Sequence, residues 1–302
     1  MYTVDSNFVH TFAGNPLARA QHLRKDQAAL GALQRSDTSR FLVFHQLKVA
    51  TNAAGSLAWI PPSALPSELK SLDFLGLENG ADRFAARLAA GETPSPIETC
   101  SVCRQAVAEL SVEDAGIVSQ ARAMLDWHQR NPYCAVCGNP SRASRGGQVR
   151  QCDSCNKHIF PRTDPVAIML IQNDAKGDFC LLGKSQGRMA QSNFYSALAG
   201  FVDQGESLEE AVRREVKEEA GISVGQVSYH SSQPWPFPSS LMIGCHGIAL
   251  NQEIVIDTEE MADVAWFDRT QVLSAIAGDN PNLRIPGPGA IAHHLIKAWA
   301  NA

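Results

Sequence analysis

At 302 residues the chain has room for two domains and a small third. With 44% hydrophobic and 19% charged residues, 22 Gly and 16 Pro, it lies near the globular mean, which excludes a disordered, collagenous or coiled-coil chain. The 26 basic and 31 acidic residues leave a net charge of −5, so the long-range field repels phosphates and an anionic substrate has to be captured locally.

The longest apolar runs, such as Val166 to Ile171, are about six residues against the ~20 of a bilayer span, so no membrane partner is expected. Residues 1–20 carry no secretory pattern and the C-terminus no address motif, which places the expected location in the cytoplasm. Six of the eight cysteines fall in three C-x-x-C pairs, at Cys100/Cys103, Cys134/Cys137 and Cys152/Cys155, a spacing that points to metal or redox chemistry.

In chain order, residues 1–126 read as an N-terminal α/β domain, with strands over Phe41 to Ala50 and Ser56 to Ile60 and a proline turn through Pro61, Pro62 and Pro66. Ile117, Ala121, Met124, Leu125 and Trp127/His128 recur at helical spacing between Glu113 and Arg130, and Asn131-Pro132 ends that helix. Residues 127–160 follow as a cysteine-rich segment with too little apolar content to hold together by burial. Residues 161–302 show strands at Val166 to Ile171, Phe179 to Leu182, Phe194 to Gly200, Gln226 to Ser231, Leu241 to Leu250, Glu253 to Ile256 and Val264 to Phe267. Helices are expected over Ser207 to Ala220 and Ala290 to Asn301.

Cys134-Ala-Val-Cys137 and Cys152-Asp-Ser-Cys155 stand fourteen residues apart, the paired spacing of a zinc ribbon in which two knuckles supply four thiolates to Zn²⁺. Four protein ligands leave no open position for water, so the zinc is structural. Cys100-Ser-Val-Cys103 has no second pair at suitable spacing and reads as structural or incidental. Between Arg130 and Arg162 lie six basic residues and one acidic one, a local charge of +5 that suits either a solvated ribbon surface or a phosphate polymer.

Further on, Gly200 is followed by Glu206, Arg214, Glu215, Glu218, Glu219 and Gly221 at fixed spacing. On a helix Glu215, Glu218 and Glu219 share a face that continues the apolar stripe of Leu208, Ala211 and Val212. Like charges at i, i+3 and i+4 repel, so something positive belongs between them. Hard oxygen ligands suit Mg²⁺ or Mn²⁺, which bridge pyrophosphate oxygens and acidify water. Downstream, Ser232 to Met242 holds prolines 234, 236 and 238, which stiffen an extended segment presenting Trp235 and Phe237. From the residues alone these rings are either stacking platforms for flat bases or two core aromatics on a rigid edge.

The pattern from Gly200 to Ile222 matches every fixed position of the Nudix box, G-x5-E-x7-R-E-U-x-E-E-x-G-U, and Ser232-Gln-Pro-Trp-Pro-Phe-Pro-Ser-Ser240 resembles the specificity motif of the NADH pyrophosphatase family. A four-cysteine ribbon preceded by a Trp-His pair, like Trp127-His128, is shared with that family, as more faintly is Phe74-Leu-Gly-Leu-Glu78. The resemblance implies a Nudix α/β/α sandwich with a mixed sheet, preceded by the ribbon and the N-terminal domain. It also implies a metal-dependent hydrolase that cuts NADH or NAD⁺ into nicotinamide mononucleotide and AMP, and possible cap removal from NAD-capped RNA. Carried over by position, Glu215, Glu218, Glu219 and Glu260 bind the divalent metal and Arg214 orients a glutamate. Phe160 and Phe201 sandwich the nicotinamide, Gln233, Trp235, Phe237 and Ser240 form the specificity segment, and Ala292 lines the pocket. Relatives are homodimers whose partner chain contributes, through Trp235 and Ser240. Two alternatives stand beside this reading: RNA decapping as the main task, and a non-enzymatic nucleic-acid-binding regulator, which the intact glutamate set disfavours.

Overall fold

The computed structural model describes residues 8–66, 68–89, 99–187 and 189–302, with the backbone alone at 99–101. The chain forms two compact units, one of Thr11–Thr163 with Pro234–Ser239, the other of Asp164–Gln233 and Ser240–Ala302 with the segment ending at His10.

In the first unit, helix α1 (Gln27–Gln34) precedes β1 (Arg40–His45), β2 (Lys48–Thr51), β3 (Trp59–Ile60), β4 (Leu69–Glu78), β5 (Ala81–Leu88) and β6 (Thr99–Val102). The six strands form one mixed sheet in the order β4-β5-β1-β2-β6, with β3 beside β1; β1 and β5 run parallel. The single strand expected from Phe41 to Ala50 is therefore a hairpin. Gln46 and Leu47 both take positive φ, 50° and 59°, and bring Phe44 opposite Val49. Two successive left-handed residues define a tight hairpin turn, and here it lacks the Asn-Gly or Asp-Gly that announces one. The strand expected at Ser56 to Ile60 shrinks to Trp59–Ile60.

After α2 (Cys103–Ala106), helix α3 (Val112–Arg130) starts at the N-cap Ser111, whose side chain accepts from the Asp114 backbone N–H. It buries Ile117, Val118, Ala121 and Leu125 against Leu42, Phe44 and Leu75 of the sheet. The Ile117, Val118 and Leu125 side chains each contribute about 1.5–3 kcal/mol of transfer free energy. The ribbon is a three-stranded sheet of β7 (Ser141–Ser144), β8 (Val149–Cys152) and β9 (His158–Ile159). Its β7–β8 connection is anchored on the same unit. Arg24 donates to Phe74 O at 2.6 Å, Leu75 O at 3.0 Å and Gly146 O at 3.4 Å, while buried His128 Nε2 lies 2.8 Å from Gly147 O and 2.9 Å from Asp73 Oδ1.

The second unit holds β10 (Asp164–Gln172), β11 (Phe179–Ser185), β12 (Leu198–Phe201), helix α4 (Leu208–Ala220), β13 (Val224–Trp235), β14 (Ser240–Ala249), β15 (Met261–Asp268), and helices α5 (Arg269–Ala277) and α6 (Ile291–Ala300). Its sheet runs β13-β14-β10-β11-β15, with β12 beside β10 and β14 parallel to β10. Alternate residues of β10 point to opposite faces. Ala167, Met169 and Ile171 join Ala211, Val212 and Val216 of α4, whereas Ile168 and Leu170 join Leu295, Ile296 and Trp299 of α6. This is the α/β/α sandwich, and burial on both faces is why β10 reads as one continuous apolar run. Glu253 to Ile256 is no strand. Val255 N–H instead donates to Ala220 O at 2.9 Å across the end of α4, with Ile254 and Ile256 packed on the core. Helix α5, absent from the expected elements, begins in a capping box of Asp268 and Gln271.

Near the chain start, His10 Nε2 lies 2.7 Å from Ser231 Oγ, and the His10 and His294 rings meet edge to face at 5.0 Å. Burial, then the neighbouring His294 and His230, holds His10 down to about 4; burial and His230 hold His246 down to about 3. Among the described residues no helix is long and apolar enough to cross a membrane.

Candidate active site and metal centre

Helix α4 is specified at both ends. Ser207 and Glu210 form a reciprocal capping box, Glu209 and Glu210 complement the helix dipole, and Gly221 closes the helix with a φ of 71°, a conformation that costs a side-chain-bearing residue energy. The apolar face of Ala211, Val212, Val216 and Ala220 seats the helix on the sheet, and helical spacing then fixes where the glutamates go.

The positive charge demanded by the glutamates is Arg214. Its guanidinium donates to Glu206 at 2.6 and 2.8 Å, to Glu215 at 2.8 Å, to Glu218 at 3.0 Å and to the Phe201 carbonyl at 2.9 Å. These bonds hold Glu206 down to about 2, with help from the Asp203 N–H, and push Arg214 well above the usual arginine range. Glu215 lies over the backbone of β12 so closely that a Cβ at Gly200 would sit 1.8 Å from its carboxyl carbon. Glycine at the first position of the box is thus a steric requirement of the glutamate fifteen residues on.

Glu219 differs from its neighbours. It is 8% exposed, and its Oε2 is buried with no hydrogen-bond partner. Burial first, then the charges of Glu215, Glu260 and Glu218, pushes it up to about 8. Glu215 is also raised by burial, against the pull of Arg214. An ionised carboxylate without a partner in such a place is costly, and a cation is the partner it lacks. The residues therefore fit a divalent ion. Glu260 belongs to the same field from the turn before β15, where Asp257 O and Oδ1 accept from Met261 and Glu259 backbone N–H groups.

The four cysteines form a group that could hold a metal ion, with sulfurs within 4.8 Å of one another. Two equivalent knuckles build it. Gly138 N–H donates to Cys134 O, and Asn156 N–H to Cys152 O, each at 2.9 Å; Cys134 and Cys152 N–H return to Asn139 O at 2.8 Å and Lys157 O at 2.9 Å. Sulfur separations of 3.6 Å for Cys134/Cys155 and 3.5 Å for Cys137/Cys152 are far too long for disulfides and suit a shared ion. The Asn139 backbone N–H and side chain draw Cys137 down to about 6, toward the thiolate a metal requires. Cys103, by contrast, is buried in the first unit's core; the Cys100 side chain lies outside the described residues. In the basic segment, Arg130 pairs with Asp126, Arg142 with Asp153, and Arg150 binds Ser141 and His128.

The structure distributes the other carried-over residues unevenly. Phe160 in the first unit and Phe201 in the second are each 60% exposed. Gln233 is only 1% exposed: it donates to Gly289 O at 2.9 Å and accepts from Ile291 N–H at 2.8 Å, capping α6 where Ala290 provides no cap of its own. Ala292 is buried in the core beneath α6, and Ser240 opens β14 opposite Asp164. Trp235 and Phe237 are half-buried. Phe12 meets them edge to face at 5.7 and 5.5 Å, Arg104 lies over both rings at 5.1 and 4.8 Å, and Arg122 lies over Phe237 at 4.5 Å. Nothing in the spacing of Phe12, Arg104 or Arg122 linked them to this segment.

Comparison with known proteins agrees with this architecture. Residues 162–285 match the family model of the NUDIX domain, and residues 38–127 match that of the NADH pyrophosphatase-like rudimentary NUDIX domain. The chain belongs to the Nudix family. It is 35% identical over 298 residues to the NAD-capped RNA hydrolase NudC of Mycobacterium bovis, covering 93% of this chain and 92% of that protein. It is 43% identical over 203 residues to the NAD-capped RNA hydrolase NUDT12 of Macaca fascicularis, covering 64% of this chain and 43% of the relative. The mitochondrial NAD(P)H pyrophosphatase NUDT13 of Homo sapiens is 40% identical over 212 residues, 65% of this chain and 58% of the relative. The chain thus spans about half the length of these last two relatives.

Proposed function

We propose that the chain is a metal-dependent hydrolase of NAD(H), cutting the pyrophosphate into nicotinamide mononucleotide and AMP. The observation that carries this is Glu219, a buried carboxylate with an orphan oxygen amid three further acidic charges, on a helix whose spacing matches the Nudix box. Mg²⁺ or Mn²⁺, when bound, neutralises the diphosphate and acidifies a water for attack on the adenylate-side phosphorus. Glu215, Glu218, Glu219 and Glu260 would hold the ions, and a bound cation would give the buried Glu219 carboxylate the partner it lacks. Arg214 fixes the carboxylates of Glu215 and Glu218, so little reorganisation is left for the reaction. Phe160 and Phe201 are each an exposed ring of the kind that stacks on a nicotinamide, and Trp235 and Ser240 complete the site of a second copy in a homodimer. Zn²⁺ in the four-cysteine centre is structural. Free thiols across the described chain suit a reducing compartment such as the cytoplasm.

A second reading, decapping of NAD-capped RNA as the main task, is supported by the names of the M. bovis and M. fascicularis relatives and by the basic ribbon. Product release from NADH, NAD⁺, ADP-ribose and NAD-capped RNA, assayed side by side with Mg²⁺ or Mn²⁺, tests both. Turnover of NADH with little dependence on salt supports the first reading. Turnover confined to capped RNA, falling steeply as salt rises, supports the second, and no metal-dependent turnover of any of the four defeats both.

A further inference from the structure

The segment Pro234–Ser239 groups with the first unit, although the strands it joins belong to the second. What holds it there is specific. Arg122, on α3, donates from Nη1 to the Pro236 carbonyl and lays its guanidinium over the Phe237 ring at 4.5 Å. Phe237 in turn packs on the core cluster of Leu42, Phe44, Leu75 and Ile117, and Trp235 rests edge to face on Phe237 at 5.5 Å. One turn further along α3, Asp126 hydrogen-bonds Arg130 while its charge also acts on Arg122. Arg104 also lies over both rings, and to this stacking Arg122 adds a hydrogen bond to the segment's backbone.

Three proline rings restrict the backbone of this segment but do not choose where its rings point. A planar guanidinium can do both remaining jobs at once, stacking on a ring while an edge N–H holds the carbonyl of the preceding residue. We infer that Arg122 is the positioning residue of the aromatic specificity segment: by clamping Pro236 and Phe237 it fixes the pose in which Trp235 is presented to a dinucleotide. The inference rests on the NAD(H) reading above. It does not make Arg122 a catalytic residue, since it acts on substrate only through its neighbours.

The experiment compares Arg122→Met, Arg122→Lys, Trp235→Ala and Phe237→Ala in the full chain, with folding checked by circular dichroism and melting. Arg122→Met keeps length and apolar packing but loses the planar donor, and it is expected to raise KM for NADH about tenfold while kcat changes less than about twofold, because no group at the scissile bond is altered. Arg122→Lys keeps the charge and one donor and recovers part of that loss. An independent readout is ¹⁹F NMR of protein labelled with fluorotryptophan. The chain has five tryptophans, and Trp235→Phe identifies the resonance of interest. In Arg122→Met that resonance shifts or splits while the other four stay in place, whereas a general loss of structure would move them all. Unchanged KM together with an unmoved Trp235 resonance, against impaired Trp235→Ala and Phe237→Ala controls, overturns the role of Arg122 and leaves the NAD(H) reading standing. Wild-type KM in Trp235→Ala and Phe237→Ala overturns the substrate role of the segment itself, and the positioning role with it.

Discussion

Among the described residues there are two six-stranded mixed sheets, each with a helix packed along one face, and of these two helices it is α4 that carries a cluster of glutamates. In the second unit α4 leans on β10 through Ala211, Val212 and Val216, and its next turn carries Glu215, Glu218 and Glu219. In the first unit α3 leans on its sheet through Ile117, Val118, Ala121 and Leu125, and the corresponding turns carry Ala123, Met124, the Trp127-His128 pair and a single acidic residue, Asp126, held by Arg130. His128 is spent on Gly147 and Asp73, that is, on anchoring the ribbon. A similar sheet plan therefore supports a reaction in one place and a scaffold in the other. The family match to a rudimentary NUDIX domain over residues 38–127 describes the same asymmetry.

That contrast can be broken in stages. The largest effect is expected from the ribbon: Cys152→Ser should lose the zinc, which is worth on the order of 10 kcal/mol to a structural site, and unfold the ribbon while the second unit keeps its structure. Metal analysis with hydrogen exchange checks this, and a variant that is zinc-free yet fully protected would refute the structural role. Next, Glu219→Gln should lower Mg²⁺-dependent AMP release from NADH about a thousandfold with the fold intact, since only the charge at Oε2 is removed. Comparable turnover would remove Glu219 from the mechanism.

A smaller effect is expected from Gly200→Ala. The added Cβ meets the Glu215 carboxyl at 1.8 Å, so the carboxylate must move off β12 and out of line with Arg214. About 1–3 kcal/mol of stability should go, visible in the melting temperature, together with a fall in kcat. The smallest is a pH effect away from the reaction. His10 and His246 are neutral in the folded chain, their pKa values lowered from 6.5 to about 4 and about 3. The unfolded chain therefore binds more protons in that window, and stability is lost as pH falls from about 6.5 towards 4. His10→Phe should reduce the slope of stability against pH there by about one proton, read from urea melts at several pH values, with little change at pH 8. An unaltered slope would place the acid sensitivity elsewhere.

Legibility in the sequence followed the range of the interaction. The helix over Ser207 to Ala220 and the run of β10 were readable, because each depends on neighbours within a few residues or on burial of a whole element. The hairpin at Gln46-Leu47 was not, since it places residues with Cβ atoms in left-handed conformations without the usual turn residues. Nor was the strand-free course of Glu253 to Ile256, where alternating apolar residues face the end of α4 rather than a partner strand.

By itself the sequence determined which residues could do chemistry. Spacing of i, i+3 and i+4 on a helix, and of two cysteines around a knuckle, brings those groups together through local backbone geometry whatever surrounds them. Tertiary structure alone decided what each of them lacks or is given: an oxygen of Glu219 left without a partner, Gln233 turned inward to cap α6, and Arg122 meeting Pro236 across 114 residues of chain. Those are contacts between distant segments, and their identities are fixed by packing, which no short-range pattern encodes.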